Sequence, residues 1–209
     1  MNDAMQLIDL FPLELVVLPG EAVPLHIFEE RYKRLMTRCR TDGAEFGVVL
    51  AEEDRVHECG CSVALTAVLE EFDDGRSNVL VEGRRRFRIL RLLEPEDEAD
   101  ECLRAQAEFF DDASSEVSRN VRESAIAAYT ELLGFVGIDT PHIPAGSGPL
   151  SFRMGAAVNL GAPVKQALLE STSESERLVE LTAVMRTLLP RLRMQRERAD
   201  AIRGNGKGM

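Results

Sequence analysis

Few residues of this 209-residue chain have the chemistry to act on a ligand: three histidines, four cysteines and a scatter of charged side chains. The densest cluster is His57-Glu58-Cys59-Gly60-Cys61, where thiolates and an imidazole are suitable zinc ligands and a Cys-x-Cys pair can chelate. A closed site needs further ligands, and Cys39 and Cys102 lack the paired spacing of a second knuckle. Half-buried ordinary thiols are the simpler expectation, and no metal is assigned. Nucleophilic catalysis needs a serine or cysteine beside a base and an orienting group. No local signature links His26, His57 or His142 to such a nucleophile. His26, between Leu25 and Ile27, reads as a hydrogen-bonded structural residue that ties the turn before the first helix. The string Gly204-Asn205-Gly206-Lys207-Gly208 lacks the spacing, the hydroxyl residue and the following helix of a phosphate loop. The expectation is no catalytic residue and no cofactor.

Arg84-Arg85-Arg86 with Phe87 and Arg88 invites a nucleic-acid reading, but strand alternation divides these arginines between two faces. The formal net charge of -11 repels phosphate backbones and anionic lipid at long range, so ion pairing within the protein is the expected role. No run of about 18 apolar residues occurs, and the N-terminus has no basic, apolar and small-residue leader pattern. Four irregularly spaced cysteines in so long a chain do not make a disulfide framework. A cytoplasmic protein without nucleic-acid or membrane partners is expected, its oligomeric state left open.

The elements that must position these residues change character along the chain. Leu13 to Leu18 reads as a buried strand, turned by Pro19-Gly20. From Phe28 to about Cys39 the residues Tyr32, Leu35, Met36 and Cys39 fall at helical spacing, with acids early and bases late. Strands are expected at Glu45–Leu50, Ser62–Phe72, Asn78–Glu82, Arg84 to about Leu93 and Leu103–Phe110, with Asp73-Asp74-Gly75-Arg76 as a hairpin turn. Residues 94–101, Glu-Pro-Glu-Asp-Glu-Ala-Asp-Glu, read as an exposed acidic loop.

After Ala113 the period becomes helical. Ser114 or Ser115 is placed to cap a helix carrying Val117, Val121, Ala125, Ala128 and Leu132, and shorter helical pieces follow at Phe152–Leu160 and Val164–Glu170. A capping box, Ser173 with Glu176, opens a last helix that Pro190 should bend or end. The expected organisation is an α+β fold: a β-rich domain at 1–112, an α-helical bundle at 113–203 and a disordered tail at 204–209.

Several segments, in order, resemble the N-terminal substrate-binding domain of Lon proteases, a fold shared with a domain of cereblon. They are Leu10-Phe11-Pro12-Leu13, Val17-Leu18-Pro19-Gly20, Val23-Pro24-Leu25-His26-Ile27-Phe28-Glu29, Arg31-Tyr32, Phe46-Gly47-Val48-Val49-Leu50, Asp74-Gly75-Arg76 and Val81-Glu82-Gly83-Arg84-Arg85-Arg86-Phe87-Arg88-Ile89-Leu90. In the helical half, Lys165-Gln166-Ala167-Leu168-Leu169-Glu170 and Glu176-Arg177-Leu178 complete the likeness, which spans about residues 7–190. The acidic stretch between Leu93 and Leu103 departs from the family, where a proline-tyrosine pair leads quickly into the next strand.

The resemblance implies a PUA-like β-barrel followed by a helical bundle, and a function in binding polypeptide. In a full Lon protease this domain precedes an ATPase and a serine-lysine peptidase. The chain ends at Met209, soon after the helical part, so neither engine is expected. The implied partner is an unfolded or tagged polypeptide or a partner protein, bound without ATP. The family's charged helix face maps onto Glu30, Arg31 and Arg34; with Phe28 these form the candidate peptide-binding surface. Aromatic residues that begin a helix commonly pack inward, so Phe28 also reads as a core anchor. Two rival functions stand beside this one. A small-molecule or nucleobase sensor would need an apolar pocket between barrel and bundle. A hydrolase would need the absent machinery.

Overall fold

A computed structural model describes residues 5–53, 55–93, 102–114, 116–138, 143, 145 and 148–205, with side chains described as far as residue 198. The acidic stretch 94–101, Ser115, His142 and residues 206–209 lie outside this description.

Six strands make one mixed sheet: β1 (Gln6–Leu13), β2 (Ala22–Ile27), β3 (Phe46–Glu52), β4 (Arg55–Glu71), β5 (Ser77–Leu93) and β6 (Arg104–Phe109). Their order is β2-β5-β4-β3-β1-β6, and β6 also pairs with β5, so five strands close into a circuit and β2 hangs from β5 at its edge. β1 and β3 are parallel, a pairing that requires a crossover, and α1 (Glu30–Asp42) lies in the connection. Gly43 ends α1 in the left-handed conformation, its N–H donating to the Cys39 carbonyl.

Period-two alternation puts Ala105, Ala107 and Phe109 of β6 inward beside Ile8, Leu10, Val49 and Phe87. Phe87 is wholly buried, and a Cβ on Gly47 or Gly60 would stand 2.6 Å from its ring. Two strands thus give up a side chain to admit one aromatic, whose burial contributes on the order of 2–3 kcal/mol. α1 closes over Phe11, on which Tyr32 stacks with centroids 3.8 Å apart.

The strands differ from the sequence expectation in two places. Residues 14–18 are buried at Val16, Val17 and Leu18 but irregular, and the strand precedes them at Gln6–Leu13. Burial without ladder partners gives the same apolar run as a buried strand, so pattern cannot separate them. Asn78–Glu82 and Arg84–Leu93 are one continuous strand, β5. Its register against β4 slips between Cys61↔Arg86 and Val63↔Gly83, and this bulge leaves both Arg84 and Arg85 exposed while Arg86 is buried.

The chain divides into two compact units. The first comprises residues 1–113 and 145–172, holding the sheet, α1, α3 (Leu150–Ala157) and α4 (Ala162–Glu170); the second comprises 114–144 and 173–209, holding α2 (Arg119–Phe135) and α5 (Glu174–Asn205). The expected helical bundle at 113–203 is therefore shared out, because α3 and α4 belong to the barrel's unit. Arg86 of β5 donates to the carbonyls of Leu169 and Ser171 and pairs with Asp112. Lys165 bonds Glu21, and Gln166 donates to the Cys59 carbonyl.

In the second unit α2 and α5 run parallel: Arg186 reaches Ser124, Arg193 reaches Glu131 and Arg196 lies over Phe135. Ser118 caps α2 through Val121 N–H, further along the chain than the expected Ser114 or Ser115. Ser173 caps α5 at Glu176 N–H as its spacing predicts. α5 runs through Pro190, on its exposed side, and on to Asn205, whereas composition predicts an unfolded tail from Gly204.

Candidate functional site

The end of β2 delivers three residues to the surface. Strand alternation buries Leu25 and Ile27 and turns Pro24 and His26 outward; Phe28 follows, 60% exposed. His26 is the hub. Its Nδ1 lies 2.7 Å from Asn78 Oδ1 across the β2–β5 ladder, and its ring stacks near Phe28 at 6.0 Å and meets Phe72 edge-on at 6.2 Å. The hydrogen-bonded histidine expected from the sequence thus ties two strands together through its hydrogen bond, and touches the turn before α1 only through the ring of Phe28. Leu69 of β4, 57% exposed, lines a shallow depression of about 490 Å³ with Pro24, His26, Glu70 and Asn78. Aromatic and aliphatic surface therefore runs from Phe28 through His26 to Leu69. Beside it the far edge of β2 has no strand partner among the described residues.

The charged residues expected to act with Phe28 lie on α1 itself. One face braces the β4–β5 hairpin: Lys33 donates to the Asp74 carbonyl and to Glu30, and Arg40 pairs with Glu71. The Arg76 backbone N–H, with its guanidinium, holds the Asp74 carboxyl below the usual range and fixes the turn. The neighbouring face carries Arg31, Arg34, Thr37 and Arg38, which line a cleft of about 490 Å³ with Asp9 of β1, Cys102 and Arg104 of β6. Arg31 pairs with Glu29 at 2.6 Å and Arg38 with Asp9 at 2.8 Å.

Of the four sequence-chosen residues, Arg31 and Arg34 come together, Glu30 pairs with Lys33 outside the cleft, and Phe28 belongs to the apolar ridge. The core-anchor reading of Phe28 is overturned by its exposure: it lies just before α1, outside the helical stripe that Tyr32, Leu35, Met36 and Cys39 bury. Leu69, Arg38 and Arg104 were missed. Leu69 left one signal, an outward strand position occupied by leucine beside Glu70 and Glu71; Arg104 left none, since only the β1–β6 pairing Asp9↔Arg104 brings it to α1.

The Cys59 and Cys61 side chains are buried, and burial pushes the Cys61 thiol up to about 12 and raises that of Cys59. His57 contacts Glu52 at 3.3 Å and Glu170 at 3.9 Å. Among the described residues no group of three or more histidine, cysteine or carboxylate side chains is arranged to hold a metal, and no helix is long and apolar enough to cross a membrane.

A family model described as the ATP-dependent protease La (LON) substrate-binding domain matches residues 8–187. Among solved structures, a Lon N-terminal domain protein from Xanthomonas campestris is 24% identical, with a TM-score of 0.67 over 86% of this chain and 98% of that one. The N-terminal domain of the Lon protease of the Mycobacterium avium complex is 19% identical, with a TM-score of 0.64 and the same coverage of 86% and 98%. These two likenesses establish a shared fold: a mixed six-stranded sheet with helices.

Proposed function

The chain belongs to the LON substrate-binding domain family, and from that premise we propose that it is an ATP-independent module that binds polypeptide through the ridge of Phe28, His26 and Leu69. The observation that carries this reading is the exposure of Phe28 and Leu69 on either side of one histidine. Large side chains left in water cost free energy that a bound apolar segment recovers, and a few such anchors dominate binding. The open edge of β2 supports the same reading, since an extended segment laid along it would satisfy backbone groups. Pro24 blunts that edge against unselective pairing.

The module is non-catalytic in this reading. Its described thiols are buried with raised pKa values, the opposite of an activated nucleophile. The imidazoles of His26 and His57 face Asn78 and Glu52, not a hydroxyl or thiol. Nucleic acid is disfavoured as a partner because the formal net charge is -11, and because Arg85, Arg86 and Arg88 of β5 lie over the rings of Phe109 and Phe110. A PUA-like barrel in a cytoplasmic protein completes the reading, supported by the closed strand circuit and by four free cysteines.

The test is fluorescence anisotropy with a labelled, reduced and alkylated globular protein as the unfolded probe. Saturable binding is expected without nucleotide, weakened about tenfold or more in the doubly substituted F28S/L69S protein, as loss of a hot-spot pair implies. Both positions are exposed, so the fold should persist. Equal affinity of the two proteins, or no saturable binding by either, would sink the proposal.

A further inference from the structure

The shallow depression beside the apolar ridge has a polar row that the ridge itself does not use. Three neighbouring strands each contribute one side chain: His26 of β2 pairs with Asn78 of β5, and Asn78 with Glu70 of β4. The amide is held from both sides. Its Nδ2 donates to Glu70 Oε2 at 2.8 Å, and its Oδ1 lies 2.7 Å from His26 Nδ1. An ionised carboxylate only accepts, so the Glu70 contact fixes which way the amide faces. His26 Nδ1 must then carry a proton to bond Oδ1, and in the neutral ring Nε2 is left as a lone-pair acceptor. Neither that nitrogen nor Glu70 Oε1 has a partner among the described residues. Both ends of the row therefore finish on an open acceptor. Leu69 stands beside them because it is the extra residue of a β-bulge: the β4–β5 register passes from Val68↔Val79 to Glu70↔Asn78, and Leu69 has no residue opposite. With Pro24 it gives the depression an aliphatic wall. Glu70 is the only carboxylate there, with no lysine or arginine among the described lining residues.

We propose that this depression is a subsite for a lysine or arginine side chain bordering the apolar segment of a bound polypeptide. The proposal rests on the polypeptide-binding reading and adds to it the chemistry of the residue next to the apolar anchor. A cationic side chain has what the site lacks: N–H donors for Glu70 and the imidazole, and an aliphatic stem to lie on Leu69 and Pro24. The volume of about 490 Å³ admits such a side chain. An acidic side chain would meet acceptors and a like charge. A purely apolar one would cover the acceptors and leave them unpaired. The field of the whole chain acts in the same direction, since a net charge of -11 draws cationic segments at long range. The cations that brace the neighbouring hairpin, Lys33, Arg40 and Arg76, are paired with Glu30, Glu71 and Asp74.

Two fluorescein-labelled peptides that share one apolar segment, followed in one by lysine and in the other by glutamine, provide the test. The wild-type protein should bind the lysine peptide about fivefold more tightly at low salt, the upper end for one exposed ion pair, and the ratio should shrink as salt is added. Glu70→Gln removes the charge but keeps an oxygen for the Asn78 amide, so the ratio should fall towards one while the glutamine peptide binds as before. Glu58→Gln, which removes an equal charge from an exposed position near the other end of β4, should keep the wild-type ratio. Because the ratio is taken within each variant, a general loss of folded protein does not imitate the effect. A ratio of one in the wild type, an unchanged ratio in Glu70→Gln, or an equal fall in Glu58→Gln would overturn the cationic subsite while leaving polypeptide binding intact. Displacement of the lysine peptide by spermidine, more readily than by the unlabelled lysine peptide, would reassign the depression to a free organic cation. Failure of both peptides to bind would remove the polypeptide reading and this proposal together.

Discussion

Burial, more than any special chemistry, sets the behaviour of the individual reactive residues. Cys39 and Cys102 are pushed up to about 11 and Cys61 and Tyr32 to about 12, in each case chiefly by desolvation of the charged form. The sign of the consequence follows from linkage. A thiol with a raised folded-state pKa stays protonated in the native protein where the unfolded chain has already lost its proton. Its contribution to stability is complete below the ordinary thiol value of roughly 8.5 and is lost as pH rises towards the folded values. Urea midpoints should therefore be flat in these groups near neutrality and fall steadily from about pH 9 upward. Serine in place of Cys61 would remove part of that alkaline slope, and a slope identical to wild type would refute the assignment. The ridge obeys the opposite logic, since Phe28 and Leu69 leave more than half of their surface in water.

At the scale of elements, the family motifs are mostly joints. Gly83 of β5 packs against the turn after Val17: its N–H donates to the Glu21 carbonyl, and its own carbonyl accepts from Gly20 N–H. A Cβ there would stand 2.2 Å from the Leu18 carbonyl oxygen, a backbone atom with nowhere to go. Gly83→Ala should cost about 2–3 kcal/mol, the scale of overpacking a filled site, read as a lowered urea midpoint with unchanged slope. The same substitution at Gly75, which has a positive φ but only Lys33 nearby, would test turn strain alone. These joints were legible as motifs, but their purpose was not. Pattern places Leu18-Pro19-Gly20 and Glu82-Gly83-Arg84 far apart in the chain, and only the close approach of two backbones explains why one position has no side chain.

For the molecule as a whole, the barrel unit is built from chain that leaves it and returns. Arg86, 4% exposed, finds its acceptors at Leu169, Ser171 and Asp112, while Phe110 and Phe152 lie against its guanidinium. A protein cut after Ala113 keeps every strand yet strips Arg86 of two carbonyls and Glu21 of Lys165. Removing partners of a buried charge costs about 3–5 kcal/mol, a large part of the ~5–15 kcal/mol that holds a domain together. Residues 1–113 alone should therefore lack a cooperative thermal transition and dispersed amide resonances, whereas the full chain should show both. A well-folded fragment would show that α3 and α4 are dispensable to the barrel.

Local pattern by itself determined the α+β class, the helical stripe of α1, the hairpin at Asp73–Arg76 and the start of α5 at Ser173, because each is written within a turn or two of chain. The ordered motifs determined the family. Pattern placed α1 correctly and put Phe28, Glu30, Arg31 and Arg34 on one surface, since they are neighbours in sequence. Tertiary structure divided them: Phe28 joined Leu69 through His26, Arg31 and Arg34 joined Arg104, and Glu30 turned to Lys33. The physical reason is that a surface is made by side chains meeting across strands and helices. Their meeting depends on ladder register and sheet closure, which no short stretch of sequence contains.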